Sequence, residues 1–237
     1  MGQTDIMKVY EKIRTYLTPF QWFEVLAVIG FTVYFAVIDR ENPWWYILIS
    51  SVAAVCGIFC VVLCAAGKKS QYYWGFVNIA AYIVVAWMSK YYGEVMLNGL
   101  YYLPTQFVGL YFWRKHYNED KEAVKCKRMS LRLTIGSIIV SPLCVWLYQM
   151  VLWRLGGNAT WLDSASATFS LIANALMVLR YREQWALWIV VDVITVIMWV
   201  VARDWIMTTM WAVYLLNAFY GLLIWTKMNR ADNVANE

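Results

Sequence analysis

Histidine is nearly absent from this 237-residue sequence: His116 is the only one, in a basic loop beside Lys115. There is also no HExxH, GxSxG or phosphate-cradling loop. The constellations that mark acid–base or metal catalysis are therefore missing, which argues against an enzyme. Charge is scarce as well. Charged residues are 15% of the chain and hydrophobic ones 62%, whereas a soluble domain carries about a quarter charged. An ordinary water-soluble globule is excluded. The long apolar runs contain no lysine, so a retinal-type Schiff base has no anchor, and the rings of like charge expected of a channel filter are missing. The five cysteines include no CxxC pair. Cys56, Cys60 and Cys64 fall at i, i+4 and i+8 on one helical face, a spacing that suits close packing better than metal or redox chemistry. No metal or cofactor is expected.

What the chain does have is apolar length. Eight runs, at 20–38, 44–66, 72–89, 95–113, 133–153, 161–179, 185–202 and 205–226, each approach the roughly 17–25 residues that a helix needs to cross a bilayer. They are continuously apolar and do not alternate, which favours helices over a barrel. Trp and Tyr crowd their ends, where amphipathic rings sit at headgroup level. Lys and Arg divide 16 to 4 between alternate connections. That bias fits an even number of spans with both termini cytoplasmic, and it makes the net charge of +5 a topology signal facing anionic lipid rather than nucleic acid. The first 19 residues place Ile6, Val9, Tyr10, Ile13 and Leu17 at helical spacing with basic residues between them, as an interfacial helix would. No cleavable signal is expected.

The fourth and eighth runs are nearly the same helix. Tyr102, Leu103, Phe107, Gly109, Leu110, Trp113 and Lys115 recur 112 positions later as Tyr214, Leu215, Phe219, Gly221, Leu222, Trp225 and Lys227. Trp74 and Asn78 correspond, at an offset of 114, to Trp188 and Asp192. Runs two to four thus repeat as runs six to eight. Three spans per copy is an odd number, so the fifth run is the crossing that lets both copies face the same way, an arrangement found in transporters. The expected fold is an all-α integral membrane protein with eight transmembrane helices: a 3+1+3 parallel-repeat core plus an extra N-terminal helix. In residues, 1–19 is the interfacial segment, 20–38 the extra helix, 44–113 the first three-helix repeat, 133–153 the linking helix, 161–226 the second repeat and 227–237 a cytoplasmic tail.

Three stretches carry a family resemblance: the WxxWxxxD run of Trp185, Trp188 and Asp192, NGLYYLPTQFVGLYFW from Asn98 to Trp113, and YLLNAFYGLLIW from Tyr214 to Trp225. Together they resemble the PnuC family of vitamin transporters over roughly residues 44–228. That family carries nicotinamide riboside and is similar in architecture to the SWEET sugar transporters. The resemblance implies a homotrimer in the bacterial inner membrane and uptake by facilitated diffusion with alternating access. It also implies a functional link to a cytoplasmic kinase, which traps the product by phosphorylation. Asn often stands at the position of Asp192 in the family's nicotinamide riboside carriers, which leaves thiamine open as the alternative vitamin.

The residues themselves point to a site. Trp185, Trp188, Asp192, Thr195 and Trp199 follow spacings of three, four, three and four, so they share one helical face. Asp192 lies near mid-span and is read as the only ionisable side chain deep inside any of the eight runs, where it needs a partner or a watery cavity. One reading is that Asp192 and the indoles hold a flat cationic ring, with cation–π attraction of about 0.5–2 kcal/mol. The other is that Asp192 ties helices together, and that Trp185 belongs to the interfacial belt. Tyr102, Thr105, Gln106, Tyr214 and Asn217, with Asn78 and Asn174, offer uncharged hydrogen-bonding groups for ribose hydroxyls and a carboxamide, or for helix packing. Pro104 is a candidate hinge.

Overall fold

The computed structural model describes residues 16–119, 122–154 and 160–234. With no water in a bilayer to satisfy free amides, apolar runs fold as helices, and among the described residues there are eight. These are α1 Pro19–Ile38, α2 Trp44–Ala65, α3 Gln71–Met88, α4, α5 Leu131–Arg154, α6 Thr160–Val178, α7 Gln184–Val201 and α8 Trp205–Val234. We take as α4 three consecutive pieces: Tyr92–Met96, a π-helical turn Leu97–Tyr102, and Leu103–Lys115. Of the expected interfacial segment 1–19, residues 1–15 lie outside the described residues. The expected tail 227–237 is instead helical as far as Val234. No Gly or Pro interrupts it, and extending a helix that already exists is far easier than nucleating one.

Among the described residues four helices, α1, α2, α7 and the Trp205–Asn229 part of α8, are long and apolar enough to cross a membrane. The others are more polar or broken: Gln71 and Asn78 lie in α3, Asn98 and Gln106 in α4, Asp163 and Asn174 in α6, and α5 contains Pro142.

Six helices close a ring. α2 packs on α3, α3 on α4, α4 on α6, α6 on α7, α7 on α8, and α8 returns to α2. α1 lies outside the ring against α2 and α8, and α5 lies outside it against α6.

The connections gather at two ends. At one end, the turn after α2, the α4–α5 segment and the turn after α6 are knitted together. There Tyr117–Asn118 pairs antiparallel with Ala123–Val124, and Val124 N–H donates to Gly67 O at 3.0 Å. Lys68 pairs with Glu122 at 2.8 Å, while Lys127 and Arg182 donate to Arg180 O and Lys127 O at 2.8 and 3.0 Å. At the other end, the Tyr46 hydroxyl at the start of α2 donates to Asp204 Oδ2, before α8, at 2.7 Å. Tyr91, before α4, donates to Met198 O near the end of α7.

The sequence repeat reappears as repeated geometry. The turns after α2 and α6 both reach positive φ, 70° at Gly67 and 68° at Arg180, and both close with a 2.8 Å bond, Lys68 N–H to Leu63 O and Tyr181 N–H to Leu176 O. Only glycine adopts that backbone without strain, so Arg180 holds it against its own side chain. Lys90 and Arg203, after α3 and α7, match in the same way at 58° each. Trp113 on α4 donates its indole N–H to Met177 O on α6 at 3.0 Å. Trp225 on α8 donates to Ala65 O on α2 at 3.2 Å.

Candidate functional site

The ring encloses a chamber of about 110 Å³, several times the space that one water requires. All six ring helices contribute to its wall, and among the described residues none of α1 or α5 does. Aromatic clusters stand at both ends. At the end carrying the hairpin, Trp113 and Trp225 lie 5.9 Å apart by ring centroid and Trp185 lies 6.0 Å from Trp225. At the other end Trp199 donates to the Tyr82 hydroxyl at 3.1 Å and lies edge-on to Tyr91.

Along α7, Trp185, Trp188 and Asp192 all reach the chamber. Trp185 is seated by Gly221, where a Cβ would stand 2.6 Å from the indole, and its N–H has no partner among the described residues. Trp188 faces Tyr102 at 6.5 Å. Asp192 is 3% exposed. Among the described residues its carboxylate makes no hydrogen bond or ion pair, so nothing there supports a purely helix-tying role. Thr195 and Trp199 continue the same face but spend their polar atoms on Ser166 and Tyr82.

The amides and phenols behave in two ways at once. Asn78 and Asn217 each anchor one amide nitrogen on an α2 carbonyl, Ala53 at 2.8 Å and Val61 at 3.1 Å. Asn217 Oδ1, Gln106 Oε1 and the Tyr214 hydroxyl have no partner among the described residues and stand beside the chamber. Gln106 lies over Gly75 and Tyr214 over Gly57, where a Cβ would meet them at 2.8 and 1.8 Å. Helix packing and an open hydrogen-bonding wall are thus the same structure. Tyr102 and Asn174 also line the chamber, but Thr105 does not. Its hydroxyl bonds to Tyr102 O and Asn174 Oδ1, both at 3.0 Å. Pro104 lies just past the π-helical turn, where its missing N–H continues a ladder already shifted in register.

Asp192 is the mid-span carboxylate, but it does not follow that other acids escape burial: Glu24 and Asp163, near the starts of their runs, are 0% exposed and Glu94 is 2% exposed. Glu94 lies one residue before the fourth apolar run, and it lines the chamber. Asp163 accepts the Gly93 and Glu94 amides at 2.8 and 3.0 Å, which satisfies free donors at the start of α4. Asn98, Ser170, Tyr82 and Trp211 are further wall residues beyond the expected set. For Asn98 and Ser170 the helical spacing to Tyr102 and Asn174 was a usable signal.

A ring of helices around a largely apolar, indole-walled chamber set with amides and two carboxylates, in a chain with several helices able to cross a bilayer, defines a multi-pass membrane transporter. Residues 47–227 match the family described as nicotinamide mononucleotide transporter, and the chain belongs to this PnuC transporter family. It is 39% identical, over 87% of its length and 81% of the relative's, to the nicotinamide riboside transporter PnuC of Neisseria mucosa. It is 32% identical to the protein of that name from Haemophilus influenzae, over 93% of this chain and 96% of that one. The crystal structure of a vitamin B3 transporter PnuC superimposes with a TM-score of 0.78 at 37% identity, covering 90% of this chain and 93% of that one. The protein is an all-α integral membrane transporter and not an enzyme.

Proposed function

We propose that this chain carries nicotinamide riboside across the bacterial inner membrane, binding it in the six-helix chamber. The observation that carries this reading is the carboxylate of Asp192, without a partner among the described residues and buried in a wall shared with Trp185 and Trp188. A planar pyridinium cation supplies the missing partner and stacks on indole at the same time. Gln106, Asn217, Tyr214 and Tyr102, with Asn78 and Asn174, then face the carboxamide and ribose, while Thr105 supports Asn174. Family membership and the names of the relatives favour the same ligand. Thiamine, also a ring cation, is the competing vitamin. Calorimetry on purified protein with nicotinamide riboside, thiamine and riboflavin tests the choice; binding of thiamine but not the riboside would overturn it.

The architecture proposed is 3+1+3, SWEET-like: α2–α4 and α6–α8 as like-oriented repeats, α5 the linking span, α1 the extra one, all eight crossing the membrane with both termini cytoplasmic. Connections that alternate between two ends, and the paired turns and tryptophans, support it. The two units rock about the chamber, with Pro104 and the π-helical turn as the hinge in α4. Transport is facilitated diffusion: proteoliposomes fill to equilibrium without ATP, and enclosing a riboside kinase with ATP raises accumulation by phosphorylating the product. Accumulation driven by a proton gradient alone would refute this. The homotrimer rests on the family resemblance, and the mass of the detergent-solubilised protein tests it.

A further inference from the structure

Glu94 is the second carboxylate in the chamber wall, on a different helix from Asp192 and in a different local setting. Asp192 has no partner among the described residues, whereas Glu94 is fixed. The Ser166 hydroxyl donates to Glu94 Oε1 at 2.7 Å and lies 3.0 Å from the Thr195 hydroxyl, which in turn donates to Val191 O at 2.8 Å. Its backbone is held as well: Asp163 accepts its amide at 3.0 Å and Asn98 donates to its carbonyl at 2.8 Å. Because Asp163 caps the start of α4, the Glu94 side chain is left for another task. Ser166 is the one hydrogen-bond donor to its carboxylate among the described residues, and a carboxylate has room for about four.

Position says which task. Through Ser166, Glu94 stands level with Thr195, three residues beyond Asp192 on α7, or about 4.5 Å further along the helix. One turn is also the separation between the ring and the vicinal diol of a nucleoside. A ring held between Asp192 and the indoles, with its sugar directed away from the tryptophan-filled end, brings that diol to Glu94, with Asn98 and Ser170 beside it in the wall. A carboxylate with two oxygens matches two adjacent hydroxyls, the same chemistry by which acidic residues hold ribose elsewhere.

We infer that Glu94 is the ribose-reading residue of this transporter, accepting the sugar hydroxyls and selecting ribosides over ribose-free ring cations, with Ser166 as its positioning residue. The inference rests on the function proposed above and deepens it.

The test is calorimetry on full-length, detergent-solubilised protein with four probes: nicotinamide riboside, its 2′-deoxy and 3′-deoxy forms, and the ring cation 1-methylnicotinamide. Glu94→Gln keeps the size and one acceptor. It is expected to weaken riboside binding roughly 10- to 100-fold, the range for a hydrogen bond to a charged group, and to leave 1-methylnicotinamide within about threefold. Removing the hydroxyl that Glu94 holds is expected to have little further effect in the variant, because coupled groups are not additive. Ser166→Ala gives a smaller loss in the same ligand-dependent pattern, and it serves alone if Glu94→Gln does not fold. Equal losses for all four probes, or full additivity with both deoxy forms, would show Glu94 to be structural and end the inference. Failure of the wild-type protein to bind any pyridinium would instead sink the proposed function.

Discussion

Replacing Asp192 by Asn changes charge and almost nothing else, and the structure sets the size of the effect. The carboxylate is buried and has no hydrogen-bond or ion-pair partner among the described residues, so its desolvation is already borne by the fold and does not recur when ligand binds. A pyridinium about 4 Å away gains roughly 4 kcal/mol at an effective dielectric constant of 20. The Asn amide keeps a dipole and an acceptor, and the ring cation loses some water of its own. A net loss of about 2 kcal/mol is expected, which is roughly 30-fold in Kd. The matched control is the reduced, uncharged dihydronicotinamide riboside, which has the same sugar and nearly the same outline but no ring charge. Calorimetry on wild type and Asp192→Asn with both ligands gives four affinities and one coupling energy. The cationic ligand is expected to lose about 30-fold and the neutral one less than threefold, with thermal stability unchanged or raised. Equal losses for the two ligands would mean that Asp192 shapes the chamber without reading charge, and the reasoning from its unpaired state would fall.

Trp188→Ala is expected to weaken riboside binding by about 1–3 kcal/mol, the range for a lost aromatic stack, and titration on assembled protein checks it. Gly221→Ala sets a methyl 2.6 Å from the Trp185 indole; overpacking of this kind costs about 1–3 kcal/mol, and a thermal melt together with weaker riboside binding would register it. Trp225→Phe removes the bond to Ala65 O and should lower stability by about 0.5–1.5 kcal/mol. Trp113→Phe should match it through Met177 O, and unequal effects would count against equivalent roles in the two units. Glu24, 0% exposed with both carboxylate oxygens unpartnered among the described residues, should raise the melting temperature when replaced by Met, since an isolated buried charge is a net burden; a fall would reveal a hidden partner.

The helices were legible because lipid permits so few alternatives: a long apolar run has one backbone solution. On α7 the helical spacing of Trp185, Trp188 and Asp192 placed them on one strongly patterned face, and all three do line the chamber. α4 was harder to read. Its π-helical turn over Leu97–Tyr102 shifts the register of every side chain after it, and no residue type in that stretch announces the extra residue. Thr105 shows the consequence of side-chain reach. It occupies the position of Asn217 in the repeat, yet its short hydroxyl folds back on Tyr102 O while the longer amide reaches the chamber. Glu94 was lost for a different reason. A scan that ends spans at charged residues stops one position after it, so a buried acid at a helix start is read as a boundary.

The two halves are equivalent in frame and unequal in chemistry. Trp113 and Trp225 make matching bonds, Gly109 and Gly221 each seat an aromatic side chain from the first turn of the preceding helix, and the turns match in backbone angle. Charge breaks the pattern. Asp192 corresponds to Asn78, and Glu94 corresponds to Ile206 at the repeat offset. Two similar units can rock against each other with similar contacts made and broken on each side, which keeps the end states close in energy. A ligand with a charged ring at one end and a diol at the other has no such symmetry, and a fully symmetric chamber would bind it equally well in either direction. On the function proposed above, one carboxylate near mid-span on α7 and one near the start of α4 remove that degeneracy, so the ligand would take its orientation from the substitutions by which the repeats diverged, and the motion would come from what they kept.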